Sequence, residues 1–300
     1  MNKVFVLPPS EDWIVDRFVK EWSEDNADIS VDDPHDADVI WLLADWAWSQ
    51  LISTGLLTKK KVLTTVHHIV PEKFSSAALR DFMLRDSITT AYHVYNEKTL
   101  EFIGKLTQKP VHVIPYWANQ KIWRPTGDKL GLRLKHGLPQ DAYLIGSFQR
   151  DTEGHDLISP KLEKGPDLLA DYLESLSKKR SDIHVVLAGW RRQYIIKRLN
   201  LAGIPYTYFE RPPHEVINDL YQTLDLYPVT ARCEGGPQSL IECGLLNVPV
   251  ISRDVGIATQ VLPQTSINAN LLAAVPAIPD VESWKLPQGY KKYKELILNL

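Results

Sequence analysis

The sequence predicts an α/β protein in which helices cover parallel sheets. Short apolar segments of strand length alternate with amphipathic segments of helix length, beginning with the predicted helix Asp12–Trp22. The predicted strands of the first third are Lys3–Leu7, Asp38–Leu43, Lys61–Val66, Ile88–Ala91 and Val111–Ile114. This alternation is typical of parallel strands joined by helical crossovers.

A second series of the same kind follows Pro115–Pro125, a segment with two prolines and no apolar period. Its predicted strands are Tyr143–Phe148, Ile183–Ala188, Tyr206–Phe209, Leu226–Val229 and Val248–Ser252. Its predicted helices are Pro166–Ser177, Arg192–Asn200, His214–Thr223 and Pro237–Leu245. Right-handed crossovers build a Rossmann-like sheet from this order.

The length of 300 residues suits two domains or one large α/β unit, and the proline-containing segment favours two. We predict an N-terminal Rossmann-like domain over residues 1–122, joined by a C-terminal helix within residues 287–300. A second Rossmann-like domain is predicted over residues 123–286.

Composition narrows the expected partners. The formal net charge of −3 provides no general attraction to nucleic acid, so no nucleic-acid partner is expected. Basic clusters such as Lys59–Lys61 leave peripheral membrane contact open, although such runs are usually solvated surfaces. The N-terminus lacks the pattern of a signal peptide, and two cysteines form neither a disulfide framework nor a zinc-ligand spacing. We expect a cytoplasmic protein, with membrane association left open, and no metal or cofactor.

The most informative loop follows the predicted strand Leu226–Val229. Ligands of open α/β sheets bind at the carboxyl ends of strands. Gly235 and Gly236 let a ligand approach the backbone, and Pro237 suits the first helical position. The N–H groups at the helix start would attract an anion such as a diphosphate, and Glu242 could accept hydrogen bonds from ribose. Taken alone, Gly-Gly-Pro is more often a tight turn before a packed helix.

The segment EGGPQSLIECGLLNVPVIS resembles the Glu-x7-Glu motif and following strand of retaining GT-B glycosyltransferases of family 4, the group 1 type. The resemblance implies a GT-B fold: two Rossmann-like domains whose parallel sheets face an interdomain cleft. It implies that Glu234 lies near the donor sugar and that Glu242 binds the ribose. The donor-binding residues implied in this segment are Gly235, Gly236, Pro237, Gln238 and Glu242.

Two cations upstream extend the resemblance, in YLIGSFQR and EKGPDLL. It implies that Arg150 and Lys164 contact the donor diphosphate, where they would stabilise the charge of the leaving group. The sequence departs from the family because Arg150 is not adjacent to Gly146 and because Asp151–Glu163 separates it from Lys164. A surface cation near a helix end is the alternative for either residue.

The resemblance also implies a base-binding region made by the loops after the next two strands. Gly189, Arg191 and Arg211 lie there, and an arginine could stack on a base. Ordinary loop residues are the alternative. In the first domain, TTVHHIV resembles a strand ending in a histidine that faces the donor sugar, which implies a catalytic role for His67. A structural hydrogen-bonding histidine is the alternative there.

The N-terminal loop departs furthest from the family. Pro8–Trp13 stands where the family carries a glycine-rich loop, which leaves acceptor binding undefined. Trp46 and Trp48 follow nearby and could stack on an acceptor sugar or pack the core of the smaller domain. The pair Asp36 and Asp38 precedes a strand rather than ending one, so we interpret it as a solvated strand entry and not as a metal site.

The resemblance as a whole implies an enzyme that moves a hexose from a UDP- or GDP-sugar to an acceptor hydroxyl with retention of anomeric configuration. The implied catalytic residues are His67, Arg150, Lys164 and Glu234. The acceptor would be a glycan, or be lipid-linked or protein-linked, in glycan or polysaccharide biosynthesis. The alternatives are a sugar-nucleotide epimerase on the same fold and a non-catalytic sugar-nucleotide-binding partner. A dehydrogenase is disfavoured because no G-x-G-x-x-G opens either half.

Overall fold

The computed structural model describes residues 2–11, 14–153 and 156–300. The chain divides into one compact unit of residues 1–117 and 286–300, and a second of residues 118–285. The predicted boundary at 122/123 is therefore corrected to 117/118. The physical reason is that Ala118 pairs with Lys285 and donates its N–H to the Trp284 carbonyl at 2.8 Å, which ties the segment to the second unit. The first two residues of the predicted helix Asp12–Trp22 lie outside the described residues.

The first unit contains a parallel sheet in the order β1-β2-β3-β4-β5. Its strands are β1 (Val4–Val6), β2 (Val39–Leu42), β3 (Lys61–Val66), β4 (Ala91–Val94) and β5 (Val111–Val113). Beyond β1, Ser30 forms a single parallel bridge with Val4. The chain therefore leaves β1 toward one side and returns to place β2 on the other, which makes a switch point at the carboxyl ends of β1 and β2.

Helices connect these strands: α1 (Ile14–Asp25), α2 (Trp48–Leu51), α3 (Thr54–Leu57), α4 (Ser76–Ile88) and α5 (Glu97–Ile103). The predicted strand Ile88–Ala91 is wrong at its start, because Ile88 is the last residue of α4. The Thr89 hydroxyl donates to the Arg85 carbonyl at 2.8 Å and so satisfies a carbonyl in the last turn of α4. The strand therefore begins only at Ala91. Helix α4 gave no periodic signal because Leu79, Met83 and Leu84 are exposed on it.

The second unit has the strands β6 (Tyr143–Ser147), β7 (Ile183–Ala188), β8 (Tyr206–Phe209), β9 (Tyr227–Val229) and β10 (Val250–Ser252). The parallel set β6-β7-β8 and the parallel pair β9-β10 are joined by a bridge between Ile145 and Leu226. The order is thus β8-β7-β6-β9-β10, a Rossmann arrangement whose switch point lies between β6 and β9.

The helices of the second unit are α6 (Lys129–Lys135), α7 (Pro166–Ser177), α8 (Gln193–Ala202), α9 (His214–Thr223), α10 (Gln238–Leu246) and α11 (Ala258–Val261). The last helix, α12 (Lys291–Asn299), belongs to the first unit. It is held there by Tyr293 and Ile297, both fully buried, and the Tyr293 hydroxyl donates to the Pro115 carbonyl at 2.9 Å.

Candidate active site

Two helices begin at the switch point of the second unit, and glycines allow the tight packing there. Gly165, with φ of +65°, stands before α7, and a Cβ on it would lie 2.0 Å from the Thr230 carbonyl oxygen at the end of β9. A Cβ on Gly256 would lie 3.0 Å from the Gly235 carbonyl oxygen. The N-cap residues of α7 and α10, Gly165 and Pro237, offer no side-chain oxygen to the first turn. Both helix starts therefore suit an anionic ligand.

Pro237 itself holds the N-cap and not the first helical position predicted for it, because α10 begins at Gln238. The Nε2 atom of Gln238 is buried and finds no hydrogen-bond partner among the described residues. A buried amide donor of this kind is costly unless a ligand or water accepts from it. The first turn of α10 thus presents an unsatisfied donor beside its backbone N–H groups.

Lys164 and Glu234, both predicted to be catalytic, form an ion pair at the same switch point. Lys164 ends the short turn before Gly165, and Glu234 stands directly before Gly235. Their side chains are only 21% and 12% exposed. The two loops are joined further because the Arg232 N–H donates to the Glu163 carbonyl at 2.8 Å. The structure therefore brings the two loops together across 70 residues of sequence.

Two more cations lie near this pair. Arg150 is exposed in the loop after β6. Lys161, which the sequence analysis missed, is half-buried and lies 3.3 Å from the Glu163 carboxylate. Burial lowers the pKa of Lys161, and the charges of Arg150 and then Lys164 act in the same direction. Three cations, Arg150, Lys161 and Lys164, thus lie ahead of α7, and the two lysines are each paired with a glutamate. No motif identified Lys161, which lies within the segment that interrupts the family pattern.

Glu242, predicted to bind ribose, lies buried within α10. Its Oε2 accepts the hydroxyl of Tyr221, a buried residue of α9, at 2.6 Å. Burial raises the pKa of Tyr221 well above its ordinary value, and the Glu242 charge adds to this, so the phenol remains a donor. Tyr221 therefore fixes the orientation of the Glu242 carboxylate.

The residues predicted around the base come together at the ends of β7 and β8. Trp190 is 41% exposed, and the guanidinium groups of Arg191 and Arg211 lie 4.2 and 4.5 Å from its ring centroid. Gly189 turns the chain with φ of +97°, and its carbonyl accepts the Tyr208 hydroxyl at 2.9 Å. The result is an exposed indole with two cations near it, a surface suited to a flat aromatic ligand.

A buried ion pair that sequence reasoning missed supports this loop. Asp151 and Arg192 are both 1% exposed, with the Arg192 Nε 3.3 Å from the Asp151 carboxylate. Arg192 also donates to the Ser147 hydroxyl at 2.8 Å and to the Gln149 carbonyl. The Asp151 N–H donates to the Arg191 carbonyl at 3.0 Å. Burial raises the pKa of Asp151 to about 6, opposed by the Arg192 charge. The pair joins the ends of β6 and β7.

His67, in the first unit, follows β3 and is hydrogen bonded at both ring nitrogens. Its Nε2 lies 2.8 Å from the Leu43 carbonyl, which can only accept, so Nε2 carries the proton. Nδ1 then accepts the Tyr116 hydroxyl at 3.3 Å. This geometry is that of a structural hydrogen-bonding histidine, and the catalytic role of His67 stays a prediction.

The two tryptophans predicted for the acceptor differ. Trp48 is buried and packs in the core with Leu42, Leu57 and Val62, so its prediction as a sugar-stacking residue is wrong. The reason is that Trp48 starts α2, whose inner side covers the sheet. Trp46 is 42% exposed.

Two further features concern the part of the chain that the structure describes: clusters of metal-ligating side chains and helices that could cross a membrane. Among those residues, His, Cys, Asp and Glu side chains do not gather in threes or more as a metal site would require. None of the helices described is long and apolar enough to cross a membrane.

The second unit is similar in sequence to known proteins. Residues 160–275 match the model of the family Glycosyl transferases group 1. The lipopolysaccharide core biosynthesis mannosyltransferase LpsB of Rhizobium meliloti (strain 1021) is 26% identical over 172 residues. These make up 55% of this chain and 46% of LpsB, so the chain spans about half the length of that relative.

Solved structures show the fold. HepE (Alr3699) of Anabaena, in complex with UDP and glucose, superposes with a TM-score of 0.78 over 100% of both chains at 13% identity. Sucrose-phosphate synthase from Thermosynechococcus elongatus gives a TM-score of 0.60 over 86% of this chain and 67% of its own, at 18% identity. The chain therefore has the α/β GT-B fold that the resemblance implied, and its residues 160–275 are similar to the group 1 glycosyl transferases.

Proposed function

We propose that this protein transfers a hexose from a UDP- or GDP-sugar to an acceptor hydroxyl with retention of anomeric configuration. The observation that carries the proposal is the Lys164–Glu234 ion pair at the switch point of the second unit, between the starts of α7 and α10. A cation, a carboxylate and two helix N-termini in one place suit a sugar diphosphate better than they suit an uncharged ligand.

The diphosphate would lie at these helix starts, with Lys164, Arg150 and Lys161 near its charges. As the bond from the anomeric carbon to the phosphate oxygen breaks, the leaving nucleoside diphosphate gains negative charge, which these cations stabilise. In a front-face reaction, the acceptor oxygen bonds to the anomeric carbon on the side that the phosphate leaves. The acceptor proton passes to the leaving phosphate oxygen, and configuration is retained.

The nucleoside would extend along the ends of the other strands. Glu242, oriented by Tyr221, would accept ribose hydroxyls, and the unsatisfied Gln238 amide would donate to the ligand at the first turn of α10. Trp190 with Arg191 and Arg211 would receive the base. Glu234, released from Lys164 by the diphosphate, would be available to the donor sugar.

The relatives support the donor class. HepE was crystallised with UDP and glucose, and with UDP-glucose, and LpsB is described as a mannosyltransferase of lipopolysaccharide core biosynthesis. By these likenesses we propose a role in glycan or polysaccharide biosynthesis, with an acceptor that is a glycan or is lipid- or protein-linked.

A calorimetric screen of UDP- and GDP-sugars tests the proposal. Lys164→Ala and Glu242→Gln should each weaken binding of the best nucleotide sugar by about tenfold or more, because each removes a charged partner of the donor. Glu242→Gln keeps an acceptor for Tyr221. Lys178→Ala, at the opposite end of α7, is the matched control and should leave the affinity unchanged.

Product analysis by NMR then separates the alternatives. A retained anomeric linkage supports the proposal, and an inverted linkage contradicts it. An epimerised sugar formed without acceptor would identify an epimerase. Binding without turnover against a panel of glycan acceptors would identify a non-catalytic sugar-nucleotide-binding protein.

A further inference from the structure

Trp46 stands out in the first unit as an exposed ring at the carboxyl strand edge. It follows β2, next to the switch point between β1 and β2, and 42% of its surface is exposed. Its indole N–H donates to the Glu11 carboxylate at 2.9 Å. An exposed tryptophan that is also held in one orientation is unusual for a side chain that only packs.

Glu11 is itself held in place by a built loop. The backbone N–H groups of Ser10 and Glu11 both donate to the Asp16 carboxylate, each at 2.9 Å. Ser10 has φ of +57°, a left-handed conformation that costs a non-glycine residue free energy unless neighbouring contacts fix it. Asp16 lies in the first turn of α1. Helix α1 thus fixes the loop, the loop places Glu11, and Glu11 orients Trp46.

A rigid aromatic cluster lies on the other side of the ring. The His67 ring is 5.4 Å from Trp46 and 5.2 Å from Tyr95 between centroids. Tyr95 stacks on Tyr116 at 3.5 Å, and both tyrosines are buried. The preceding residue, Asp45, is fixed by an ion pair with Arg85 at 3.1 Å. The Trp46 ring therefore contacts His67 on one side and is hydrogen bonded to Glu11 at its edge.

We propose that the exposed face of Trp46 is a stacking platform for a pyranose ring of the acceptor, and that Glu11 is its positioning residue. The inference rests on the proposed function, and it names the acceptor class: a sugar. The apolar C–H face of a pyranose packs on an indole, while hydroxyls at the ring edge hydrogen bond to carboxylates. Glu11 stands at the edge of the indole, where its carboxylate can accept such hydroxyls.

The surroundings favour a sugar over a lipid. The Glu11 carboxylate stands at the edge of a single exposed ring. Its negative charge opposes anionic lipid headgroups, and one ring does not make the broad apolar area that a lipid tail needs. A neutral polyhydroxylated ring satisfies both the indole and the Glu11 carboxylate.

The test uses NMR of the full chain labelled with ¹⁵N-tryptophan. The indole resonance of Trp46, identified by its loss in Trp46→Phe, should shift saturably on titration with methyl α-D-glucopyranoside or methyl α-D-mannopyranoside. Glycerol is the control and should not shift it. Glu11→Ala should weaken the glycoside affinity several-fold, and Glu11→Gln, which keeps an acceptor for the indole N–H, should retain most of it. An unshifted Trp46 resonance with both glycosides overturns the inference.

A second reporter separates this outcome from a failure of the proposed function. The Trp190 indole lies in the other unit, at the proposed base site, and should shift with UDP-glucose or GDP-mannose. If Trp190 stays silent with nucleotide sugars while Trp46 responds to glycosides, the donor site is wrong and the sugar platform stands. In a transfer assay, Trp46→Ala should raise the acceptor KM by about tenfold or more and Trp46→Phe by less. An unchanged KM in Trp46→Ala contradicts the platform.

Discussion

Each unit has a buried network of polar side chains at the carboxyl ends of its strands, and the two networks differ in charge. In the second unit, the network is charged: Asp151 pairs with Arg192 beneath the loops after β6 and β7. In the first unit, the network between the middle strands is neutral. The Trp41 indole donates to the Thr65 hydroxyl at 2.8 Å, and the two ring nitrogens of His93 lie 2.9 Å from the Thr65 hydroxyl and 2.9 Å from the Ile114 carbonyl. The Arg85–Asp45 ion pair of this unit joins α4 to the loop after β2 and is not part of that network. Burial lowers the pKa of His93 to about 3.

The difference extends to what each edge exposes. Above the charged network lie Arg150, Lys161 and Lys164, which suit a phosphate. Above the neutral network lies Trp46 with its supporting rings, which suits a sugar. Similar parallel sheets with a switch point therefore offer two chemistries, and the chemistry is decided by the loops and not by the fold.

The largest expected effect comes from breaking the charged network. Arg192→Met leaves Asp151 buried without its partner, which should reduce the free energy of unfolding by roughly 3–5 kcal/mol. Chemical denaturation at pH 8 measures this. Arg198→Met, on α8, removes a partly exposed ion pair with Asp171 and Glu174 and should cost far less. Equal losses in the two variants would mean that the buried pair does not hold the edge.

The pH dependence sharpens the contrast, because the two networks respond with opposite sign. Asp151 has a folded pKa of about 6, above its unfolded value, so the folded state binds the proton between about pH 4 and 6 and stability falls as pH rises. His93 has a folded pKa of about 3, so the unfolded state binds the proton and stability rises with pH up to about 6.5. Asp151→Asn should therefore make the slope over this window more positive, and His93→Asn should make it less positive. Slopes that change in the same direction would contradict the contrast.

The buried networks could not be predicted from the sequence, whereas many helices and strands could. In the second unit, the helices Pro166–Ser177 and His214–Thr223 and the strands Ile183–Ala188 and Tyr206–Phe209 have the predicted bounds, because apolar periodicity there is strong and Pro or Gly stands at several of the ends. Helix α4 was missed because its apolar residues follow no single face.

In the candidate site, too, some residues could be placed from the sequence and others could not. Residues within one contiguous motif, such as Glu234 before Gly235, keep their local spacing in the fold and could be placed from sequence. Contacts between distant segments could not: Glu11 meets Trp46 across 35 residues, and Arg192 meets Ser147 across 45. Nothing in the adjacent pair Arg191 and Arg192 tells which guanidinium is buried, since only the turn after β7 decides it.

The next largest effect should come from the Lys164–Glu234 ion pair at the carboxyl ends of the strands of the second unit. Glu234→Gln removes the carboxylate that neutralises Lys164, so UDP should bind several-fold more tightly. Turnover should fall by about 10–100-fold, because the charged hydrogen-bonding partner that we propose for the donor sugar is lost. Calorimetry with UDP and initial rates with the preferred nucleotide sugar measure the two quantities. Glu282→Gln, an exposed glutamate of the same unit, is the control. Weaker UDP binding in Glu234→Gln would mean that Glu234 does not compete for Lys164.

The smallest effect should come from the exposed cation beside Trp190. Arg211→Ala removes one of two guanidinium groups near that indole, and a solvent-exposed cation–π contact contributes about 0.5–1 kcal/mol, so the donor KM should rise by roughly 2–5-fold with little change in kcat. Arg211→Lys should recover part of the loss, since it restores charge but not the flat stacking group. The aromatic edge supplies the comparison: Trp46→Ala should raise the acceptor KM and leave the donor KM unchanged, whereas Arg211→Ala should do the reverse. If either variant changed both the donor KM and the acceptor KM, the second unit would not bind the donor, and the first unit the acceptor, independently of each other.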